Sequence, residues 1–318
     1  MFVEKELKEN QDLSRKLNAQ NGNDSEVISA SNILQALGAE ISWGSRNEDN
    51  SKIDLLISYN HPWNSGQRVL LLVQVKSGNS FGKVDKKIKI YRRGIQEAKK
   101  SLNNILLIWF DHKTKENYWS YIHQNTDPKI IELGRNHILS PATRFEVARC
   151  ISKNITHNKF NSRGIILNFK NDNLDISKFR KDNKLLFKKH KEVINPLYGK
   201  ILFTNYGWKH MFRKTRLKKY KLDSLIVIPY LKQLLRFQPD RHWINNFDIQ
   251  NHKQFKIYSY EHVLRYENIK NNLNDEKFEI VIKLIEEVGF PNHWKEENLL
   301  SQKVKRKVIF KSCSLKKA

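Results

Sequence analysis

The most constraining feature of this 318-residue chain is an apolar run that ends in two polar side chains. Val69–Val73 (VLLLV) has the composition of a strand in the middle of a sheet, yet Gln74 and Lys76 follow it directly. Side chains two positions apart leave a strand on the same face, so both groups point to one side of the predicted sheet. Burying an amide and an ammonium is costly unless other groups pair with them. The pattern therefore predicts a buried polar site.

The preceding predicted strand supplies a partner for these groups. Asp54 stands near the start of the apolar run IDLLIS at 53–58, which we expect to lie beside the strand that carries Lys76. The Asp54 carboxylate, the Gln74 amide oxygen and the Val75 carbonyl are oxygen ligands of the kind that Mg²⁺ or Mn²⁺ prefers. A metal-bound water can attack phosphorus, and Lys76 can stabilise the charge that develops on the phosphate. The sequence thus predicts a metal-dependent phosphodiesterase site.

A predicted helix precedes these strands. Glu26–Leu37 (EVISASNILQAL) has apolar residues at helical spacing, and Gly38 favours termination. We expect Glu26 to reach the site as a further metal-binding carboxylate. The alternative is a glutamate that only stabilises the first helical turn through the helix dipole.

Further elements complete a small mixed sheet flanked by helices. We predict strands at 39–43, 105–110 and 117–122, and a basic amphipathic helix at 88–101 (IKIYRRGIQEAKKS). Basic residues in or beside that helix are candidates for phosphate contacts, although a run of charge is more often a solvated face. These candidates are Lys87, Lys89, Arg92 and Arg93.

The order Glu26, Asp54, Gln74, Lys76 resembles the PD-(D/E)XK nuclease superfamily. More narrowly, it resembles the Mrr-like restriction branch and a group of bacterial domains found beside defence genes. The resemblance covers about residues 20–125 and includes the stretches VQVKSG, ILLIWFD and NYWSYI. It implies a restriction-endonuclease-like α/β fold, a metal site at Glu26, Asp54 and Gln74, and Lys76 as the catalytic lysine.

Two departures from that family pattern stand at the site. Ile53 occupies the position of the family's proline, and Gln74 replaces an acidic residue, which weakens the case for two metal ions. An isolated Gln-x-Lys pair is more often a device that keeps an edge strand soluble. Convergence with Asp54 in an apolar setting favours the site.

Positive charge is concentrated in the C-terminal part. The whole chain has 58 Lys and Arg against 33 Asp and Glu, a net charge of +25. Residues 1–125 hold 18 against 14, a net of +4, whereas residues 126–318 hold 40 against 19, a net of +21. Such a surface attracts polyanions. We predict a nuclease-like domain at 1–125, a connector at 126–185 and a basic α+β nucleic-acid-binding domain at 186–318.

Aromatic and basic residues alternate in the segment YGWKHMFRKTRLKKYK, which begins at Tyr206. This composition fits a surface that tracks phosphates and stacks bases. The alternative is a basic helix face whose Trp208 and Phe212 belong to the core. The predicted nucleic-acid contacts are His210, Arg213, Lys214, Arg216, Lys218 and Lys219. Beyond this segment we predict a strand at 254–266, an amphipathic helix at about 276–288 and a Lys-rich tail.

The same segment supports a second hypothesis. GWKHMFRK resembles the colicin- and RelE-like ribonucleases, which implies metal-independent RNA cleavage with His210 as general base. A third hypothesis is a catalytically silent nucleic-acid-binding protein. Lys76 argues against it, because an inactive site would gain nothing from a lysine in an apolar strand. DNA is favoured over RNA as the partner, and a homodimer or a partner defence protein is also expected.

Two observations bear on compartment. Cys150 and Cys313 are far apart, which fits neither a disulfide framework nor a zinc pattern and indicates a reducing compartment. No apolar run approaches the ~18 residues of a membrane span. We therefore expect a cytoplasmic protein without a membrane partner.

Overall fold

The computed structural model describes residues 2–44, 53–127, 129–153, 166–167, 176–271 and 277–317. The chain forms two compact units, and both mix helices with strands. Unit 1 comprises residues 1–61, 65–147 and 293–301, and unit 2 comprises residues 62–64, 148–292 and 302–318. No helix within the described ranges combines the length and the apolar character that crossing a membrane requires.

Unit 1 is built on a mixed sheet. Its elements are α1 (Phe2–Leu37), β1 (Glu40–Trp43), β2 (Leu55–Asn60), β3 (Arg68–Ser77), β4 (Gly82–Val84), β5 (Ile88–Ile90), α2 (Arg92–Ala98), β6 (Ile105–Asp111), β7 (Glu116–Ile122), β8 (Ile131–Leu133) and the first part of α3 (Thr143–Lys153). The strand order is β1-β2-β3-β6-β7, and β4, β5 and β8 form a second, smaller sheet. Within the larger sheet β3 and β6 are parallel and the other pairs are antiparallel.

One face of the larger sheet is covered by α1. Val75 pairs with Ile108, and Phe110 pairs with Asn117, so these residues share a face. The Asn117 amide donates to Ser29 Oγ at 2.7 Å and accepts from Asn32 Nδ2 at 2.7 Å. These buried bonds hold α1 on the face that carries Val75. The predicted helix at 26–37 is confirmed as the end of α1, and Gly38 follows it with φ +58°.

The opposite face is covered by α2 and the smaller sheet. Gln74 pairs with Leu107 and Lys76 pairs with Trp109 across β3 and β6. Leu107 and Trp109 pack in one core with Ile95 of α2. Gln74 and Lys76 therefore emerge beneath α2, on the side of the sheet away from α1.

The prediction of one helix over 88–101 is wrong. Ile88–Ile90 is the strand β5, which pairs with β4 and β8, and the helix α2 occupies only Arg92–Ala98. Ile88 and Ile90 are both buried, two positions apart, and β-branched residues at that period favour a strand. The predicted strands at 39–43, 53–58, 105–110 and 117–122 are confirmed as β1, β2, β6 and β7 within one to two residues.

Unit 2 is built on a larger sheet. Its elements are the remainder of α3, β9 (Ile166–Leu167), α4 (Ile176–His190), β10 (Glu192–Asn195), β11 (Gly199–Leu202), α5 (Asn205–Met211), α6 (Lys218–Val227), α7 (Leu231–Leu234), β12 (Arg241–Asn251), β13 (Phe255–Asn271), β14 (Lys277–Pro291), α8 (Leu300–Lys303, shared with unit 1) and β15 (Lys305–Lys317). The strand order is β10-β11-β15-β14-β13-β12, and β9 pairs with β13. Phe187 of α4, Trp208 of α5 and Leu225 of α6 share a core with Leu264 and Phe310 of the sheet, so the helices cover one of its faces.

The predicted helix at about 276–288 and the predicted tail are both strands. Lys277–Pro291 is β14, and Lys305–Lys317 is β15. Even-numbered positions of β14 from Phe278 to Phe290 are buried, which is a period of two. Three neighbouring apolar residues (Ile280, Val281, Ile282) imitate a helical pattern, and the long pairing with β13 overrides it. The predicted strand at 254–266 is confirmed as part of β13.

A cluster of buried charges lies on the helix-covered face of this sheet. The Glu286 carboxylate accepts from Arg149 Nη2 at 2.5 Å and from Arg306 Nε at 2.6 Å, and it lies 2.7 Å from His262 Nε2. Only 1% of Glu286 is exposed. Burial alone would raise the pKa of Glu286, but the two guanidinium groups and the imidazole outweigh it and hold the pKa well below its ordinary value. Arg149 also lies 4.5 Å above the ring of Tyr198.

Substitution of Glu286 tests how far unit 2 depends on this cluster. We expect Glu286→Gln to lower the free energy of unfolding by about 3–5 kcal/mol, because two buried guanidinium groups lose their counter-charge. The matched control is Glu287→Gln, whose side chain is 33% exposed and pairs with Lys307, and we expect a change below ~1 kcal/mol. Urea unfolding followed by circular dichroism measures both, and equal losses would contradict the assignment.

Candidate active site

Asp54 is held against the backbone of β3. It lies one residue before β2, and continuation of the β2–β3 register places it opposite Gln74. Its amide donates to the Val73 carbonyl at 3.0 Å, and its carboxylate Oδ2 accepts from the Val75 amide at 2.5 Å. The carboxylate thus accepts the hydrogen bond that a backbone carbonyl would accept if β2 began earlier. One carboxylate oxygen is oriented by this bond, which preorganises the group.

Gln74 and Lys76 lie beside Asp54 in a largely apolar environment. Gln74 is fully buried, and the Lys76 side chain is 14% exposed. The Lys76 ammonium is 3.8 Å from Glu97 Oε2 and 5.8 Å from the centre of the Phe81 ring. The strand register places Asp54 opposite Gln74, and Lys76 follows on the same face of β3. The three predicted residues are therefore neighbours in the sheet.

Glu97 belongs to this group and was not predicted from sequence. It lies on α2, its side chain is 20% exposed, and it also accepts from Arg93 Nε at 3.4 Å. Arg93 in turn lies 5.0 Å from the Phe81 ring, so a second cation stands close to Lys76. The available signal was that Glu97 is the one acidic residue in the otherwise basic stretch at 88–101.

Glu26 and Val75 relate to the site differently. Glu26 is half-buried on α1, next to Ser25, whose hydroxyl lies 3.4 Å from His112 Nε2 just beyond β6. Glu26 is therefore at the end of the sheet where Lys76 lies, but on the helix that covers the other face. The Val75 side chain also points to the α1 face, and its amide is the donor to Asp54. Metal ligation by Glu26 and by the Val75 carbonyl stays a prediction.

The basic residues around α2 fall into two groups. Lys87 and Lys89 contact the Glu132 carboxylate of β8 at 2.5 and 3.5 Å, which engages both in the smaller sheet. Arg92 and Arg93 begin α2 and are exposed, and Arg93 stands next to Lys76 through Glu97 and Phe81. Arg93 is the member of this set that the geometry brings closest to the candidate site.

The residues present fit a hard divalent cation. The Asp54 carboxylate and the Gln74 amide are oxygen donors, and Glu97 is a further carboxylate near Lys76. Ammonium and guanidinium groups close to oxygen ligands suit a phosphate that a cation also contacts. The arrangement can therefore bind a phosphodiester and stabilise negative charge on it.

The aromatic residues of the segment beginning at Tyr206 are mostly structural. Trp208 is buried and lies 4.3 Å from the Phe212 ring, and both pack against the core of unit 2. Arg216 donates to the Met211 and Cys313 carbonyls at 3.0 and 3.1 Å, which gives it a structural role. The alternative that placed these two rings in the core is confirmed for Trp208, whereas Phe212 packs against the core and is partly exposed.

His210 is surrounded by cations. Its ring stacks on Tyr206 with 6.0 Å between centroids. Partial burial lowers the pKa of His210, and the nearby charges of Lys311, Arg213 and Arg216 lower it further, whereas Glu261 raises it. A neutral imidazole among cations is suited to accept a proton from a group that those cations hold.

The lysines at the start of α6 line a basic cleft. Lys218, Lys219 and Lys221 surround a cleft of about 350 Å³ with Arg180, above an apolar floor that includes Phe212. Arg213 and Lys214 are exposed in the preceding loop. The predicted basic surface is thus divided between this cleft and the surroundings of His210.

Charge changes near His210 test the source of its lowered pKa. We expect Lys311→Gln to raise the pKa of His210 toward 6.5, because a neighbouring positive charge is lost. Glu261→Gln should lower it further, because the opposing negative charge is lost. A histidine-resolved NMR titration measures both, with Lys184→Gln on the exposed side of α4 as control. Identical titration of His210 in all three variants would contradict this account.

Comparison of the chain with protein-family models, with curated proteins and with solved structures finds no match. The roles of the residues at this site therefore rest on their chemistry and on the geometry given above. Asp54, Gln74, Lys76 and Glu97 form the candidate active site of unit 1, and His210 with its cations forms a second candidate in unit 2.

Proposed function

We propose that this protein is a metal-dependent nuclease and that the site in unit 1 hydrolyses phosphodiester bonds, DNA before RNA. The observation that carries the proposal is the convergence of Asp54, Gln74 and Lys76, with the Asp54 carboxylate bonded to the β3 amide at 2.5 Å. The mixed sheet with α1 on one face and α2 on the other is compatible with a restriction-endonuclease-like fold of the PD-(D/E)XK type. Polar groups gathered in an apolar strand pair are otherwise costly, which supports a functional reason for them.

The cation in this proposal is Mg²⁺ or Mn²⁺. Asp54 and Gln74 would hold it, and Glu26 and the Val75 carbonyl are further candidates for its ligands. When bound, it would supply an activated water and positive charge at the phosphate. Gln74 contributes no negative charge, so the affinity for the cation depends mainly on Asp54 and any other carboxylate that joins it.

Lys76 has the central role among the side chains of this site. Its ammonium lies 3.8 Å from Glu97 Oε2, on the face of β3 that also carries Gln74. In that position it would bind a phosphate oxygen and stabilise the charge that develops as the phosphodiester bond is attacked. Glu97 orients Lys76, and Arg93 adds a second cation for the phosphate.

The proposed substrate rests on the positive charge of residues 126–318, and the proposed biological setting rests on the resemblance to PD-(D/E)XK nucleases. The basic cleft at Lys218, Lys219 and Arg180 would hold the nucleic-acid backbone, which fits the net charge of +21 on residues 126–318. Cytoplasmic bacterial defence or a mobile element is the proposed setting, with a homodimer or a partner defence protein as the proposed assembly.

A second candidate function is supported by a separate observation. His210 has a lowered pKa and lies among Lys311, Arg213 and Arg216. This arrangement would suit a metal-independent ribonuclease in which the imidazole accepts the 2′-hydroxyl proton and the cations hold the phosphate. A catalytically silent nucleic-acid-binding protein is the third candidate.

Cleavage assays on full-length variants test these functions. We expect the wild-type protein to cut plasmid DNA with Mg²⁺ or Mn²⁺ and not in EDTA. Lys76→Met and Asp54→Asn should reduce the rate by about 10²–10³-fold, the scale of one lost preorganised electrostatic contact. Asp54→Asn keeps an oxygen that can accept from Val75, so loss of activity without a change in melting temperature would separate chemistry from folding.

The matched control is Lys83→Met, an exposed lysine of β4 paired with Asp85, which should cut at the wild-type rate. RNA cleavage that persists in EDTA and in Lys76→Met, but disappears in His210→Ala, would replace the main proposal with the ribonuclease. Nucleic-acid binding without cleavage under any of these conditions would leave the silent binder.

A further inference from the structure

The face of the unit 2 sheet opposite the helices is open to solvent at several described positions. Along β13 and β14, Tyr260 and Glu286 are buried on the side of the sheet that carries the helices, and Ile257 and Glu287 are on the other side. Trp243 is 40% exposed, and the side chains of Lys283 and Lys307 are 38% and 54% exposed. We call this surface, formed by the outward residues of β12 to β15, the open face.

One end of the open face contains a cleft with an apolar floor. The cleft has a volume of about 390 Å³. Phe255, Ile257 and Gly289 line its apolar part, and Glu287, Lys305, Arg306 and Lys307 line the rest. Glu287 pairs with Lys307 at 2.7 Å. Phe255 is 40% exposed, so its ring is available for stacking. The volume is within the range of small-ligand sites.

Neither crowding nor backbone conformation requires a glycine at position 289 of this long strand. A side chain there would approach Ile257 and the Lys305 carbonyl only at 3.9 Å, which is ordinary contact. Its φ is not positive. A glycine in the interior of a strand weakens the strand and often marks a close approach by another molecule. Here its absence of a side chain keeps the floor of the cleft open beside Phe255.

A row of lysines runs from this cleft along β15. Lys305 and Lys307 pair with Gly289 and Glu287, so they share the open face. Same-face positions on a strand are about 7 Å apart. Farther along, Lys311 reaches Glu261 on β13, which Lys283 also contacts at 3.0 Å. One carboxylate between two ammonium groups leaves a positive charge in excess.

A second aromatic group stands across the sheet from this row. Trp243 of β12 pairs with Val263, and the Arg265 guanidinium lies 5.6 Å from its ring. The open face thus combines exposed rings, a cleft with room for one planar group and a line of cations. Stacking surfaces along a positive track are the features by which proteins bind single-stranded nucleic acid.

We propose that the open face binds single-stranded nucleic acid, with a base on Phe255 and Ile257 and the backbone along Lys305 and Lys307. A duplex keeps its bases stacked inside and cannot place one in the cleft. This site is separate from Asp54 and Lys76, and it requires no cleavage by either candidate centre. DNA and RNA strands share the chemistry that the face recognises, so both are included in the test.

The test is binding of fluorescein-labelled oligothymidylate and 2′-O-methyl oligouridylate, which lacks the hydroxyl that a metal-independent ribonuclease needs, to the full-length protein in EDTA, by fluorescence anisotropy over a salt series. The chelator keeps metal-dependent cleavage out of the measurement, so failure of the proposed nuclease and failure of this proposal are distinguishable. We expect Phe255→Leu to weaken binding about tenfold, because the apolar bulk stays and the ring is lost. Phe255→Trp should retain wild-type affinity.

The lysine row is tested by the salt dependence. Lys305→Gln combined with Lys307→Gln should reduce the slope of log affinity against log salt by about 1.4, since each phosphate contact on a single strand contributes about 0.7. Lys184→Gln, an exposed lysine of α4, is the matched control and should leave the slope unchanged.

Three results would overturn the proposal. The first is binding that Phe255→Leu leaves unchanged, or no binding of either oligonucleotide. The second is a reduction of the salt slope in Lys184→Gln equal to the reduction per lysine in the double variant. That result would mean that the net charge of the protein alone attracts the oligonucleotide. The third is tighter binding of phosphatidylserine vesicles with the same dependence on Phe255, which would assign the face to a lipid surface.

Discussion

The cost of burying polar and charged groups between apolar layers is the constraint on which both units depend. In unit 1, Gln74 and Lys76 lie under α2, and the carboxylates of Asp54 and Glu97 lie beside them. In unit 2, Glu286 neutralises part of the charge of Arg149 and Arg306 beneath the helices. Such groups are tolerated only when each has a partner in suitable geometry, which makes their positions highly specific.

The two buried polar groupings have different consequences. The Glu286 cluster is buried, and its carboxylate accepts from Arg149 and Arg306, which points to a structural role. The grouping at Asp54 and Lys76 lies at the end of a strand pair, where the Lys76 side chain is 14% exposed. Partial exposure combined with convergent polar groups is what a site that admits a phosphate requires.

Sequence patterns were most informative where a strand or helix is long and has one clear period. The run Val69–Val73 followed by Gln74 and Lys76 predicted both a buried strand and a polar site, and the register with β2 places Asp54 beside them. The sequence did not predict Glu97 as a site residue, because the pattern of residues 88–101 indicates one long helix with a solvated basic face. The change of direction at Ile90 that brings α2 over the sheet depends on pairing with β4 and β8, and those contacts come from distant residues.

The sequence by itself determined the apolar strands of unit 1, the polar interruption at Gln74 and Lys76, and the concentration of positive charge after residue 125, because these are local properties of composition and period. Only the tertiary structure decided that 277–291 is a strand rather than a helix, that Trp208 belongs to a core and that Lys305 and Lys307 share a face with Phe255. Each of these depends on which distant segment lies alongside. Long antiparallel pairing and burial against a partner outweigh intrinsic propensities that differ by less than ~1 kcal/mol per residue.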